Sequence, residues 1–135
     1  MNKKPYTVGF GKGNAGHKAR ARGARPTGQM NKTETRYAEH LEVQRLAGEI
    51  VSWQYEPLKL RLGENWKTTF TADFMVVRAS GEVELVDVKG SGGAEDDARV
   101  KIKTAARLYP QFWFVEEMWK AKQWHRWVVS RDSDG

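Results

Sequence analysis

Apolar and polar positions change period several times along the chain, and each change marks an element. Asn31 followed by Glu34 three residues later is the Asn form of a capping box and predicts a helix start. From Glu34 the positions Tyr37, Ala38, Leu41 and Arg45 recur at helical spacing, which puts Glu34 at the head of an inward stripe, and Gly48 is the predicted stop. The period then falls to two. Residues 50–55 read as a short strand, and Leu58, Leu60 and Leu62 alternate with Lys59 and Arg61 as in a half-buried strand. A turn is expected at 63–65. Residues 68–77, rich in Thr, Phe and Val, and residues 83–89 read as two strands joined by a turn at 79–81, an antiparallel hairpin.

A flexible loop at 90–93 is predicted to separate this hairpin from a second helix. Its first turn carries acids at 95–97, where the macrodipole favours them, and Ala98, Ile102, Ala105, Ala106 and Tyr109 form its buried stripe up to Pro110. Two closing strands, 112–117 and 124–130, complete an α/β pattern with a mixed central β-sheet flanked by helices. The expected organisation is a basic flexible tail over 1–29, one folded domain over 30–131 and a short C-terminal tail over 132–135. No internal repeat is visible.

Charge changes this picture only at the N-terminus. The chain has 135 residues and a formal net charge of +6. Residues 1–29 hold Lys3, Lys4, Lys12, Lys18, Arg20, Arg22 and Arg25 and no acid, leaving sixteen basic against seventeen acidic residues elsewhere. A Gly-rich basic segment this poor in apolar residues cannot offset its ordering entropy, so disorder is expected. Its natural partner is a polyanion, and nucleic acid fits best because no amphipathic helix pattern favours a membrane. The competing reading is a tail that serves solubility alone. A G-x-G-x-x-G match at Gly11–Gly16 lies in this tail, without the strand and helix a dinucleotide site requires.

The chain has no cysteine, and His17, His40 and His125 lack zinc spacing, so any metal would be held by oxygen. With no long apolar run and no apolar leader, a cytoplasmic location is expected. Of six tryptophans, Trp113, Trp119, Trp124 and Trp127 crowd the last quarter of the chain. Trp113 and Trp127 are expected in the core, while core, interface and base stacking all remain open for Trp119.

Two strands carry charge where apolar residues would serve stability better. Asp73 stands in "TADF", and "DVK" at 87–89 places Asp87 and Lys89 on one face of the following strand. If the hairpin brings the two carboxylates together, they repel unless a cation lies between them. Mg²⁺, which takes carboxylate and water oxygens, answers that need and would activate water toward a phosphodiester. The plainer reading is a same-face ion pair on a solvated strand. Glu34 likewise has two readings, metal ligand or capping-box carboxylate.

Taken in order, the helix with Glu34, "QYEP", "TADF", "DVKG" and the Lys-bearing helix resemble the PD-(D/E)xK nuclease superfamily over roughly residues 31–110. The likeness is strongest to small phage-encoded members and to Holliday-junction resolvases and transposon endonucleases. Two departures stand out: Ala72 replaces the proline, and Asp87 is the shorter of the two permitted acids.

The resemblance implies a restriction-endonuclease-like core and a Mg²⁺-dependent DNA endonuclease, with Mn²⁺ as a substitute ion. Glu34, Asp73 and Asp87, with the Val88 carbonyl, would hold the metal, and Lys89 would act on the water. Lys12, Lys18, Arg20, Arg22 and Arg25 would follow phosphates. Lys101 or Lys103 on the second helix could reach the scissile phosphate, although a solvated helix face is an equal reading. A structure-selective enzyme would work as a homodimer on branched DNA, with no membrane involved. The alternative is a non-enzymatic nucleic-acid-binding protein on the same fold. Glu56, held extended by Pro57, is left out of the ligand set.

Overall fold

A computed structural model describes residues 28–65, 67–90 and 96–129. Residues 1–27 of the expected tail, including Lys12, Lys18, Arg20, Arg22 and Arg25, lie outside the described residues, as do most of the predicted 90–93 loop and the 132–135 tail.

Helix α1 spans Lys32–Leu46 and begins with the predicted capping box. The Glu34 amide donates to Asn31 Oδ1 (2.7 Å), and the Asn31 amide donates to Glu34 Oε1 (2.9 Å). Ala47 caps its C-terminus, and Gly48, at φ 83°, takes the left-handed turn that releases the chain into the sheet. Strands β1 (Ile50–Tyr55), β2 (Lys59–Arg61), β3 (Thr69–Thr71), β4 (Phe74–Arg78) and β5 (Val83–Lys89) follow. Helix α2 (Asp96–Leu108) then crosses over to β6 (Trp113–Lys120) and β7 (Gln123–Val128).

The main sheet has the order β1-β4-β5-β6-β7. Only β5 and β6 run parallel, as a crossover through α2 requires, so the sheet is mixed as expected. β2 and β3 form a separate antiparallel pair.

Alternation along the strands assigns the two faces. Val86 and Val115 pack with Tyr37, Ala38 and Leu41 of α1, together with Trp53, Phe74 and Val76. Their chain neighbours Leu85 and Phe114 pack on the opposite face with Ile102, Ala105 and Ala106 of α2 and with Leu60, Phe70 and Ala72. Trp53, Tyr37, Phe74 and Phe114 are essentially inaccessible to solvent, and large side chains buried this way contribute about 2–3 kcal/mol each before entropy is counted.

Three expectations are corrected. The predicted 68–77 strand is interrupted at Ala72 and Asp73: Phe70 and Ala72 belong to the α2-side core, but Phe74 belongs to the α1-side core. A regular strand would place 70, 72 and 74 on one face, so the chain must bend at Asp73 to feed both layers. Trp113 is not a core residue. It opens β6 with 38% of its surface exposed, because the inward positions are taken by Phe114 and Val115. Glu56 is not extended but sits at φ 47°, where the chain turns from β1 toward β2 and the Asp73 carbonyl captures its amide (2.8 Å).

Candidate acidic site at the end of the sheet

β4 begins at Phe74, whereas β5 continues to Lys89, so the last residues of β5 have no β4 partner. Asp73 occupies that gap: its Oδ2 accepts a hydrogen bond from the Val88 amide at 2.7 Å. The carboxylate thus replaces the next rung of the ladder. Amide and carbonyl of one strand residue point to the same edge, so the Val88 carbonyl also faces the Asp73 side.

Two carboxyl groups, on either side, act on Asp73 here. Asp73 comes from the bend before β4, Asp87 from the α2 face of β5, and Glu34 from the first turn of α1. The Asp73 carboxyl is held well above the usual carboxylate range. Burial is the largest cause, the negative charges of Asp87 and Glu34 follow, and the Val88 amide opposes them. Asp73 and Glu34 also lie within hydrogen-bonding reach of each other, which two carboxyls can exploit only when one carries a proton.

Each acid is fixed by a further contact. Glu34 Oε1 accepts from the Asn31 amide and, at 2.9 Å, from the Tyr55 hydroxyl at the end of β1. The Glu34 carboxylate therefore caps α1 and faces Asp73 at once. Lys89 Nζ lies 2.8 Å from Asp87 Oδ2, and both side chains are largely buried. Glu56, at a backbone conformation that costs a non-glycine residue roughly 1–3 kcal/mol, holds the Asp73 carbonyl from behind.

The donor chemistry suits a hard cation: carboxylate oxygens and one carbonyl, repelling one another, beside a fixed amine. Among the described residues no three such acids are already drawn in around one point, so the carboxylates influence one another without forming a closed cage. Of the two helix lysines, Lys103 is exposed beside the cavity next to α2, while Lys101 is half-buried and outside its lining.

Sequence reasoning missed three further buried acids, Glu84, Glu116 and Glu117. The signal was available in "WFVEEMW", where two acids interrupt an apolar strand, but no partner could be assigned without knowing that β6 pairs with β5. Glu84 and Glu117 face α1 and are neutralised. Arg78 donates to both oxygens of Glu84 (3.1 and 3.2 Å), Arg126 bridges Glu84 (2.5 Å) and Glu117 (3.1 Å), and the Tyr37 hydroxyl donates to Glu117 (3.1 Å). Glu116 lies on the α2 face, directly opposite Asp87 in the parallel ladder.

A family model described as "Protein of unknown function (DUF1064)" matches residues 25–125, and the chain belongs to that family. No curated protein matches it. It is similar to a solved structure, that of SSO0001, at 10% identity and a TM-score of 0.44. That likeness covers 70% of this chain and 48% of the other, so the chain spans about half of that structure's length. No helix among the described residues is long and apolar enough to cross a membrane.

Proposed function

With a family that has no assigned function as the premise, the reading must come from the acidic site, and we propose that the protein is a Mg²⁺-dependent DNA endonuclease of the PD-(D/E)xK kind. The observation that carries the proposal is the buried Asp73 carboxyl flanked by the negative charges of Asp87 and Glu34, with the Lys89 ammonium fixed on Asp87. Buried carboxylates this close repel one another, and a divalent ion between them removes that cost.

Glu34, Asp73 and Asp87, with the Val88 carbonyl, would hold the ion. When bound, Mg²⁺ or Mn²⁺ would polarise the phosphodiester and lower the pKa of water beside it. The protein's own part is positional. The Val88 amide aims Asp73, Asn31 and Tyr55 aim Glu34, and Asp87 holds Lys89 where its ammonium can orient the attacking water and offset charge building on the phosphoryl oxygens. Deprotonation of Asp73 is needed to complete the ligand set, so cleavage rises with pH through the raised Asp73 value.

The fold is a mixed α/β sheet with a helix on each face, and we read it as a restriction-endonuclease-like core. The substrate is branched DNA such as a four-way junction, cut by a homodimer able to make paired incisions. The basic tail contributes salt-dependent, sequence-independent affinity. The deciding experiment incubates labelled four-way junction, linear duplex and single strands with Mg²⁺ or with chelator, using the wild type, Asp87→Ala and Lys89→Ala. Cleavage that requires the ion and is lost in both variants, with DNA binding retained, is the expected result. Binding without any cleavage, unaltered by either substitution, would leave only a nucleic-acid-binding protein on this fold.

A further inference from the structure

Next to the acidic site, a cavity of about 160 Å³ opens between α2 and the edge strand β7. Arg99, Ile102 and Lys103 form its helix side, and Glu116, Trp127 and Val129 are among the residues on its sheet side. Glu116 is only 2% exposed, yet the cation it pairs with among the described residues, Arg99, stands at 3.7 Å, too far for a good hydrogen bond. The Arg99 guanidinium lies 6.0 Å above the centre of the Trp127 ring, and its side chain is 43% exposed and able to move outward. A largely buried carboxylate that lines the cavity, an aromatic plane and a loosely placed guanidinium thus converge on one opening.

We propose that this cavity binds one unpaired cytosine of the DNA strand whose phosphate lies at the acidic site. A volume of roughly 150 Å³ accommodates a single six-membered aromatic ring, which selects a pyrimidine over a purine. The ring stacks on Trp127 under Arg99, a sandwich that needs layers about 3.4 Å apart and so lifts Arg99 slightly. Glu116 then accepts from the exocyclic amine of cytosine, the group a carboxylate reads in this base. Thymine presents a carbonyl oxygen at that position, and two acceptors repel. Because the amine is engaged in a duplex, the base must be unpaired to enter. The location suits a flanking nucleotide: Glu116 and Asp87 are opposite each other on adjacent strands, about 4.8 Å apart in backbone spacing.

The inference rests on the nuclease reading for its substrate, but its test does not require cleavage. Fluorescein-labelled oligo(dC) and oligo(dT) of equal length are titrated with the full chain by anisotropy, in chelator and above neutral pH. The wild type is expected to prefer oligo(dC) by about tenfold, the scale of one base-edge contact. Glu116→Gln, whose amide can accept or donate, should bring the ratio close to one with an unchanged circular-dichroism spectrum. Trp127→Ala should weaken both strands by about tenfold, and Trp127→Phe should restore most of that loss. Equal binding of the two strands by the wild type, or a preference that survives Glu116→Gln, overturns the proposal. A cytosine preference in a protein that never cuts DNA would keep this cavity and discard the hydrolase; metal-dependent cutting without base preference would do the reverse.

Discussion

Two groups of buried acids lie in one sheet and are treated in opposite ways. On the α1 face, Glu84 and Glu117 are matched by Arg78 and Arg126, with the Tyr37 hydroxyl completing the set. Where β5 outruns β4, Lys89 pairs with Asp87, and the charges of Asp87 and Glu34 raise the proton affinity of Asp73. The first group closes its own charge and holds four strands and α1 in register. In the second, the charges of Asp87 and Glu34 act on a buried Asp73 and favour its protonated form. The first group reads as a structural network, and the second is where the proposed function puts the metal.

The largest test of that contrast is chemical. Lys89→Ala and Asp87→Ala should each lower metal-dependent cleavage per folded molecule about a thousandfold, equivalent to roughly 4 kcal/mol of transition-state stabilisation. Single-turnover cleavage of a labelled junction measures it. If instead these variants cut normally, the two acid groups do not differ in kind.

Arg126→Met should show the opposite profile. It strips the shared cation from Glu84 and Glu117, both under 7% exposed, and should cost about 3 kcal/mol in urea unfolding while leaving cleavage per folded molecule unchanged. A smaller effect separates the two duties of Glu34. Asn31→Ala removes the cap and should cost about 1 kcal/mol with activity retained. Glu34→Gln keeps an acceptor for the Asn31 amide but loses the charge, so activity should fall with little loss of stability.

The smallest expected effect has an unusual sign. Burial and the charges of Asp87 and Glu34 raise the Asp73 value, so the stability this carboxyl contributes is complete at pH below the ordinary carboxylate range and is lost as pH rises through the raised value. In chelator at neutral pH, Asp73→Asn should therefore be slightly more stable than the wild type, and the advantage should vanish on acidification. Mg²⁺ should stabilise the wild type at neutral pH and not the variant. Thermal unfolding across pH, with and without the ion, reads both outcomes.

Local chemistry was legible in the chain because its causes are local. The Asn31–Glu34 capping box, the helical stripe through Tyr37 and Leu41, the 79–81 turn and the shared face of Asp87 and Lys89 all follow from spacings within a few residues. Asp73 also stood out, since a charge between apolar strand positions needs a reason. Its place at a break between β3 and β4 did not: that break exists because Ala72 and Phe74 serve different cores, a demand neither residue reveals alone. Glu56 misled for the same reason, since its preference before proline is overridden by the Asp73 carbonyl and the turn.

By itself the sequence determined the helices, most strand positions, the alternating faces and the four charged residues worth suspecting, since periodicity and capping act between near neighbours. Only the tertiary structure decided which acids share space: the bend at Asp73 brings it to Val88 and Glu34, and the parallel pairing of β5 with β6 sets Glu116 beside Asp87. Charge balance depends on distances between residues far apart in the chain, and those distances exist only once the sheet has closed.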